Sequence, residues 1–275
     1  MTGVVVLYNP DIKKVYLNSL TYIKYLDILY LIDNSEISNK KNIEKEFFYY
    51  RDKIKYLWLG ENKGIARALN LAKQESINSN YKFMLTMDQD SYFETDLKEM
   101  IDFIKKNKEK KIGIVAPNYN IYGKEQKLEE KIIKRKYVMT SGNILNLKYA
   151  KEIGDFNEEF FIDEVDNEYC LRMRKRNYEV VKYMNCSLRH ELGKEKKFFG
   201  VKVITHNYIR QYYMTRNKLY VLKEFKEVRI KYLILIFIEI FKVILFEKNR
   251  KKSLIFIFKG IKDFLCKKAG KLEKY

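Results

Sequence analysis

Two aspartates stand where an apolar run of the sequence ends. The stretch FMLTMDQDSYF, residues 83–93, passes from mostly apolar residues directly into Asp88, Gln89 and Asp90. Burying an unpaired carboxylate is costly, so acids at the end of a buried strand bind a ligand or face water. Hard divalent cations such as Mg²⁺ take carboxylate oxygens together with water and substrate phosphates. The stretch therefore predicts either a divalent metal site or a solvated turn.

A second acidic cluster lies about 75 residues further along the chain. The segment FNEEFFIDEVDNEYCLR, residues 156–172, contains Asp163, Glu164, Asp166 and Glu168 ahead of a predicted helix. Acids in the first turn of a helix interact favourably with its dipole. A carboxylate close to a metal site can instead act as a general base. Both interpretations stay open on these residues alone.

The elements that must position these acids follow from the hydrophobic pattern. Apolar runs predict strands at 3–8, 28–33, 54–60, 81–88 and 112–117. Helical patterns lie between them at 11–25, 63–77 and 94–107. This alternation predicts an α/β fold with a mostly parallel sheet covered on both faces. Ligands of such folds bind at the carboxyl ends of strands, where Asn9, Asp33 and Asp88 are expected.

The second half of the chain has a less regular pattern. Residues 118–138 are polar and rich in lysine, which indicates a loop or insertion. Residues 137–156 are typical of a strand, a short helix and a turn, and residues 165–181 of a helix followed by a strand. Near the third predicted helix, Asn62 and Gly64 suit either a phosphate-binding helix start or an ordinary capped helix.

Composition limits the class of protein. The chain has 275 residues, of which 47% are hydrophobic, so it is long and apolar enough for a packed core. Its net charge of +19 predicts an anionic partner. Three cysteines without a paired motif indicate a reducing compartment. The first ten residues, MTGVVVLYNP, lack the pattern of a secretory signal, so we expect a cytosolic protein.

The C-terminal part combines apolar helices with basic residues. Residues 230–246 and 253–268 are amphipathic, and the basic stretch EKNRKK lies between them. The longest uncharged run, Tyr232 to Ile238, is seven residues, against the ~20 that a spanning helix needs. These helices predict peripheral attachment to an anionic membrane surface. Packing of the two helices on protein is the alternative.

The ordered set of motifs resembles a known family. The segments that carry the resemblance are VVVLYNP (4–10), LIDNS (31–35), ENKGIARALNLA (61–72), LTMDQDS (85–91), TSGNILN (140–146), FNEEFFIDEVDNEYCLRMRKRNYEVV (156–181), RHELG (189–193) and YYMTRNKLYVL (212–222). Together they are similar to inverting glycosyltransferases of family 2, with the GT-A fold, and to their rhamnosyltransferase-like branch. The resemblance spans roughly residues 3–222, which implies a GT-A domain over 1–222 and a basic helical tail over 223–275.

The resemblance implies roles for individual residues. It implies a nucleotide-sugar donor site formed by Tyr8, Asn9, Asp33, Asn62, Gly64, Arg67, Asn70, Asp88 and Gln89. It implies an acceptor site at Ser141, Gly142 and Asn143, and an Mg²⁺ or Mn²⁺ site at Asp88, Asp90 and His190. Aligning Arg172 with the family pattern makes Asp166 the catalytic base, with Asp163 as the alternative. Arg216 and Asn217 either contact the diphosphate or cap the domain.

The implied reaction is transfer of a sugar to a hydroxyl group with inversion. Rhamnose from dTDP-rhamnose is the family's default donor, and the acceptor is a glycan or lipid-linked glycan of the cell surface. The protein is then expected in the cytoplasm, on the inner face of the membrane. A metal-dependent nucleotidyltransferase would need a glycine-rich, lysine-bearing loop after the first strand, which we do not find. A nucleic-acid-binding module would explain the charge but not the strand-end acids, so no nucleic-acid partner is expected.

Overall fold

The computed structural model describes residues 1–107, 110–120, 130–190, 195–198, 201–204, 206–247 and 249–273. The chain divides into two units. One consists of Met1–Phe156 with Tyr169–Glu191, and the other of Asn157–Glu168 with Leu192–Tyr275. Residues 157–168 and 192–222, which we expected in the catalytic domain, thus fall in the same unit as the tail. Residues 121–129 of the expected polar insertion and 191–193 of RHELG lie outside the described residues.

A single sheet forms the centre of the first unit. Within the described residues it has nine strands: β1 (Thr2–Leu7), β2 (Ile28–Asp33), β3 (Ile54–Trp58), β4 (Phe83–Asp88), β5 (Ser91–Phe93), β6 (Ile112–Asn120), β7 (Ile132–Lys134), β8 (Asn143–Asn146) and β9 (Glu179–His190). Their order is β3-β2-β1-β4-β8-β6-β9-β5, with β7 also paired to β9. All five predicted strands are present, as β1, β2, β3, β4 and β6.

The sheet is parallel in its first half and mixed in its second. β1 pairs in parallel with β2 and β4, and β2 with β3. β8 runs antiparallel between β4 and β6, while β6 and β9 are parallel. β5 and β7 run antiparallel to β9. β5 begins only two residues after β4 ends, yet it pairs with β9 and not with β4.

Helices cover the buried strands. The helices of this unit are α1 (Ile12–Ser19), α2 (Lys40–Glu46), α3 (Ile65–Asn78), α4 (Lys98–Lys106) and α5 (Leu147–Ile153), and α6 (Val165–Lys175) begins in the second unit and ends here. Val5, Leu29, Leu31 and Leu85 are fully buried at the centre. α1 ends well before the predicted residue 25, because Thr21 donates its hydroxyl to the Asn18 carbonyl and a 3₁₀ turn follows.

The second unit contains a hairpin and three helices. These elements are β10 (Glu195–Phe198), β11 (Val201–Ile204), α7 (Tyr208–Glu224), α8 (Arg229–Phe246) and α9 (Arg250–Leu265). α7 and α9 pack closely, because a Cβ atom on Gly260 would lie 2.7 Å from the Tyr212 carbonyl oxygen. The two predicted tail helices are therefore present. Among the helices described, none combines the length and the hydropathy that crossing a bilayer requires.

Candidate active site

Three predicted metal ligands meet at the end of β4. Asp88 ends that strand, Asp90 follows two residues later, and His190 ends β9. One ligand atom from each residue lies within 4.8 Å of the other two. The His190 Nδ1 atom is 3.9 Å from Asp88 Oδ2 and 3.7 Å from Asp90 Oδ1. The geometry therefore groups two carboxylates and one imidazole at one point of the sheet edge.

Strand pairing explains how a histidine so distant in sequence reaches the two aspartates. β5 begins immediately after Asp90 and pairs with the end of β9, which sets Ser91 opposite His190. The buried Ser91 hydroxyl lies 2.8 Å from His190 Nδ1, so it fixes the orientation of the ring. A side chain that holds a ligating histidine in this way normally sets the tautomer as well. Ser91 is the last residue of the motif LTMDQDS, and no role was predicted for it from the sequence.

One unsatisfied oxygen of this cluster fits a divalent cation. Asp90 Oδ1 is buried and has no hydrogen-bond partner within the part of the chain that is described. Leaving such an oxygen unpaired costs free energy, which a metal ligand bond would recover. Two carboxylates and an imidazole suit Mg²⁺ or, with its greater tolerance for nitrogen, Mn²⁺.

Gln89, between the two aspartates, holds the neighbouring loop. Its side-chain Oε1 accepts a hydrogen bond from the Tyr8 N–H at 2.8 Å, and its Nε2 donates to the Tyr8 carbonyl at 3.2 Å. Asn18 donates to the Gln89 carbonyl at 3.1 Å. The amide therefore ties the end of β1 to the end of β4. Gln89 was expected to contact the donor, and this geometry gives it a supporting role in the structure.

Asp33, at the end of β2, is fully buried and bonded to protein. Its Oδ2 accepts hydrogen bonds from the Tyr56 hydroxyl at 2.7 Å and from the backbone and side chain of Asn39, and its Oδ1 accepts from the Ser35 N–H. Burial acts to raise the pKa of Asp33, but the hydrogen bonds outweigh it and hold that pKa below its ordinary value. The carboxylate thus shapes the loop after β2, and its predicted contact with the base stays a prediction.

The other predicted donor residues line the ends of β1 and β3. Asn9 has a positive φ of 45° and donates its N–H to Ser35 Oγ at 2.8 Å. Gly64, with φ of +86°, precedes α3, and its N–H donates to Asn62 Oδ1. Asn34 donates to the Gly64 carbonyl at 3.0 Å, which joins the loops after β2 and β3. The exposed Tyr8 side chain follows β1 directly, and the exposed Arg67 side chain is in the first turn of α3.

In the second unit, the acidic cluster adopts an unusual backbone. Asp163 and Glu164 have φ values of +61° and +64°, and Phe161 has +62°. Such values are rare for residues other than glycine and persist only where surrounding contacts fix them. Asp163 contacts Arg210, while Asp166, in the first turn of α6, accepts a hydrogen bond from the Asn167 N–H at 2.8 Å.

Two buried residues of α7 hold this backbone. Asn217 donates its amide to the carbonyl oxygens of Phe160, Ile162 and Asp163 at 2.8, 2.7 and 3.0 Å. Arg216 donates to the Glu159 carbonyl at 3.0 Å and to the Gly270 carbonyl at 2.9 Å. Of the two roles considered for this pair, the structure supports the capping role.

Comparison with known proteins identifies the family. The model of the family described as Glycosyl transferase family 2 matches residues 8–156, which is more than half of the chain and includes the Asp88–Asp90 motif. The chain belongs to glycosyl transferase family 2. The dTDP-rhamnosyl transferase RfbF of Shigella flexneri is 29% identical over 245 residues, 81% of this glycosyltransferase and 79% of RfbF. The resemblance to the rhamnosyltransferase-like branch is thereby confirmed.

Solved structures confirm the GT-A fold of this glycosyltransferase. A crystal structure of GalNAc-T7 with UDP, GalNAc and Mn²⁺ matches with a TM-score of 0.59 at 12% identity. That match covers 72% of this chain but only 43% of the GalNAc-T7 chain. S. aureus TarS 1–349 in complex with UDP-GlcNAc matches with a TM-score of 0.51 at 13% identity, over 98% of this chain and 74% of that one.

Two residues of α3 fix the segment that follows α5 in the glycosyltransferase. The buried Asn70 exchanges two hydrogen bonds with the Phe156 backbone, at 2.8 and 2.9 Å. The buried Lys73 lies 2.6 Å from the Gly154 carbonyl and 2.6 Å from Asp155 Oδ1, and burial lowers its pKa. No role was predicted for Lys73 from the sequence. Its spacing from Ala66, Leu69 and Asn70 follows the helical period and would have placed it on the buried face.

The three predicted acceptor residues of the glycosyltransferase are buried, and one of them contacts the backbone of Asp88. Ser141 Oγ accepts a hydrogen bond from the Asp88 N–H at 3.1 Å. Gly142 has φ of +80°, and a Cβ atom there would lie 2.7 Å from the Pro117 ring. Asn143 donates to the Met139 carbonyl at 2.6 Å. These contacts support the end of β4, and an acceptor contact at these residues stays a prediction.

Proposed function

We propose that this glycosyltransferase moves rhamnose from dTDP-rhamnose to a hydroxyl of a glycan or lipid-linked glycan, with inversion, in the synthesis of cell-surface polysaccharide. The observation that carries the proposal is the grouping of Asp88, Asp90 and His190 at the end of β4, inside the family-2 region. The choice of sugar and nucleotide rests on the similarity to a dTDP-rhamnosyl transferase over most of both chains.

The donor diphosphate is proposed to bind at this metal cluster. Asp88, Asp90 and His190 would hold Mg²⁺ or Mn²⁺, and the buried, unbonded Oδ1 of Asp90 supports this assignment. When bound, the cation supplies electrostatic stabilisation of the negative charge that develops on the leaving diphosphate. The residues of the chain orient the cluster: Ser91 holds the imidazole, and Ser141 holds the backbone of Asp88.

The nucleotide is proposed to lie along the ends of β1, β2 and α3. Tyr8, Asn9, Asn62 and Gly64 are on the loops there, and Arg67 and Asn70 are on α3. The buried Asp33 bonds to the loop after β2. Gly64 permits close approach of a ligand to the backbone at the start of α3, where a helix favours phosphate. The exposed Arg67 adds positive charge in the first turn of the same helix.

Asp166 is proposed as the base that removes the acceptor proton. The acceptor oxygen attacks the anomeric carbon, the bond from that carbon to the diphosphate oxygen breaks, and the hydroxyl proton passes to the Asp166 carboxylate. Asp163 is the less suitable base, because Arg210 contacts both of its oxygens. A carboxylate engaged by a guanidinium group has fewer lone pairs to offer and is held away from other partners.

The tail is proposed to attach the enzyme to the cytoplasmic face of a membrane. The outer side of α8 exposes eight large apolar residues, which are Ile230, Leu233, Ile234, Phe237, Ile238, Phe241, Ile244 and Leu245. At about 100° per residue they occupy an arc of about 140°. Lys231 and Lys242 lie just beyond one edge of that arc, where long basic side chains reach lipid headgroups. The exposed Arg250 and Lys251 add charge beyond the end of α8.

A donor screen tests the proposed chemistry. Purified enzyme is incubated with Mg²⁺ or Mn²⁺ and, separately, with dTDP-rhamnose, UDP-GlcNAc and other nucleotide sugars, and release of the nucleotide diphosphate is measured. We expect the highest rate with dTDP-rhamnose and none with the Asp90→Asn variant. Preference for another nucleotide sugar would overturn the donor assignment while preserving the reaction class.

A further inference from the structure

Glu164 is a buried carboxylate that the proposed reaction does not use. Its Oε2 atom accepts a hydrogen bond from the Tyr232 hydroxyl at 2.7 Å and another from the Asn167 side chain at 2.8 Å. Its Oε1 atom lies 3.3 Å from the Lys218 ammonium group. These partners come from α8, from the first turn of α6 and from α7, so one side chain contacts three helices within the second unit.

The backbone at Glu164 requires such support. Its φ of +64° is in the left-handed region, which residues with a Cβ atom rarely adopt, and the preceding Asp163 is there as well. Strained backbone of this kind persists where surrounding contacts over-determine it. Asn217 holds the backbone carbonyl groups before Glu164, including that of Asp163. The three partners of the Glu164 side chain hold the segment at Glu164 itself. Asp166 follows two residues later.

Tyr232 is suited to be a permanent donor to Glu164. It is buried on the inner side of α8 with Ile236 and Val243. Burial first, and then the negative charges of Glu164 and Asp166, raise the pKa of the Tyr232 hydroxyl, so it keeps its proton and donates it in a hydrogen bond. Asn167 links Glu164 to Asp166, because its side chain donates to Glu164 Oε2 and its backbone N–H donates to Asp166 Oδ1, each at 2.8 Å.

We propose that Glu164, clamped by Tyr232 and Lys218, is a positioning residue that sets the orientation of Asp166 for proton removal. The tail helix α8 is then part of the catalytic apparatus as well as a membrane-facing element, because it supplies Tyr232 on one side and the apolar surface on the other. This inference rests on the proposed role of Asp166 as the base.

Two single substitutions test the clamp. Tyr232→Phe removes one hydrogen bond with little change in shape, and Glu164→Gln removes the charge that pairs with Lys218. We expect each to lower kcat by about 10- to 100-fold, the scale of a misplaced catalytic group, without changing the KM for the donor. Tyr220→Phe is the matched control, because the Tyr220 hydroxyl bonds to the Lys268 carbonyl, and its kcat is expected to equal that of wild type.

A double-mutant cycle separates positioning from general support of the fold. If Glu164 acts through Asp166, then Glu164→Gln has little further effect on the residual rate of Asp166→Asn. Losses that multiply in the double variant, or wild-type kcat in both single variants, overturn the positioning role. A wild-type rate in Asp166→Asn instead overturns the base assignment on which the inference rests. Tyr232→Phe keeps the test decisive if Glu164→Gln does not fold.

Discussion

Arg210 contacts both carboxylate oxygens of Asp163, with its Nε atom 3.2 Å from each and its Nη2 atom 3.0 Å from Oδ1. Two acids only three positions apart in the chain therefore have different environments. Asp163 is engaged by a guanidinium group and is mostly buried, with 13% of its side chain exposed. Asp166 is in the first turn of α6 and is partly exposed.

This difference predicts which acid the reaction needs. Asp166→Asn keeps the shape of the side chain and removes the basic oxygen, so turnover should fall by on the order of 100-fold or more while donor binding is retained. Asp163→Asn should lower the melting temperature, through loss of the charge-assisted bonds to Arg210, and should affect turnover less. Steady-state kinetics and thermal unfolding of both variants check this. Loss of turnover in Asp163→Asn alone would show that Asp163 is the base.

Metal binding should depend on Asp90, whose Oδ1 atom has no hydrogen-bond partner among the described residues. Asp90→Asn replaces a charged ligand oxygen with a neutral one, so Mn²⁺ affinity measured by titration calorimetry should fall by at least about tenfold, the usual scale for a perturbed metal site. Excess chelator should abolish transfer, and Mg²⁺ or Mn²⁺ should restore it. Asp52→Asn, at a side chain that is 97% exposed, is the control and should bind Mn²⁺ as wild type does. Full turnover in chelator would rule out a role for the cation.

Asp33 should stabilise the fold in a pH-dependent way. Its pKa is below the ordinary value of 3.8 in the folded chain, so its stabilising contribution is complete above that value and is lost as pH falls through the folded pKa. Asp33→Asn should lower the free energy of unfolding by about 1–3 kcal/mol at neutral pH, since buried donors lose a charged acceptor. Urea unfolding of both proteins at neutral and acidic pH checks this. If the difference in unfolding free energy between wild type and Asp33→Asn stays constant down to about pH 3, protonation of Asp33 is not coupled to folding.

Membrane association should depend on the outer side of α8. Phe237→Asp introduces a charge into the centre of the exposed apolar surface, where 69% of the Phe237 side chain is accessible. Co-sedimentation with vesicles rich in phosphatidylserine should fall at least about tenfold, and high salt should weaken wild-type binding. Ile37→Asp makes the same change at a side chain that is 81% exposed on the loop after β2 and should bind as wild type. If Phe237→Asp and Ile37→Asp bind the vesicles equally well, α8 does not attach the protein to membranes.

The contact between α7 and α9 should tolerate no larger residue at Gly260. A Cβ atom there would lie 2.7 Å from the Tyr212 carbonyl oxygen, which is backbone and cannot move independently of α7. Gly260→Ala should therefore cost about 1–3 kcal/mol of stability. Gly113→Ala is the control, because its close neighbour is the flexible side chain of Met173 at 2.8 Å. Chemical denaturation compares the two, and unchanged stability in Gly260→Ala would show that α7 and α9 can separate at low cost.

The sequence predicted well what depends on local pattern. The apolar runs located β1, β2 and β4 to within about two residues, and the acids at their ends marked the edge at which Asp88, Asp90 and His190 meet. The tail helices were equally clear, because their amphipathic period is strong. The strand and short helix predicted within residues 137–156 are present as β8 and α5. The antiparallel direction of β8 and the short strand β5 were not predicted, since three or four residues carry too little pattern to fix direction.

Contacts distant in sequence explain the remaining differences. A carboxylate after β2 suggested a ligand contact at Asp33, but nothing near it indicated that Tyr56 would donate to it from 23 positions away. Asn70 similarly bonds to Phe156 across 86 positions. Residues that look like binding groups in a motif can thus serve as internal supports. Only the three-dimensional pairing of strands and helices distinguishes the two roles.

The pairing of Ser91 with His190 also has a consequence for the order in which the chain is made. The two residues are 99 positions apart, and β9 reaches His190 only after β6, β7 and β8 have been synthesised. A nascent chain that stops before residue 190 has both strand-end aspartates but lacks the imidazole. A cation that needs all three side chains would therefore bind tightly only after β9 has been synthesised. It would stabilise only chains that contain this last strand of the sheet.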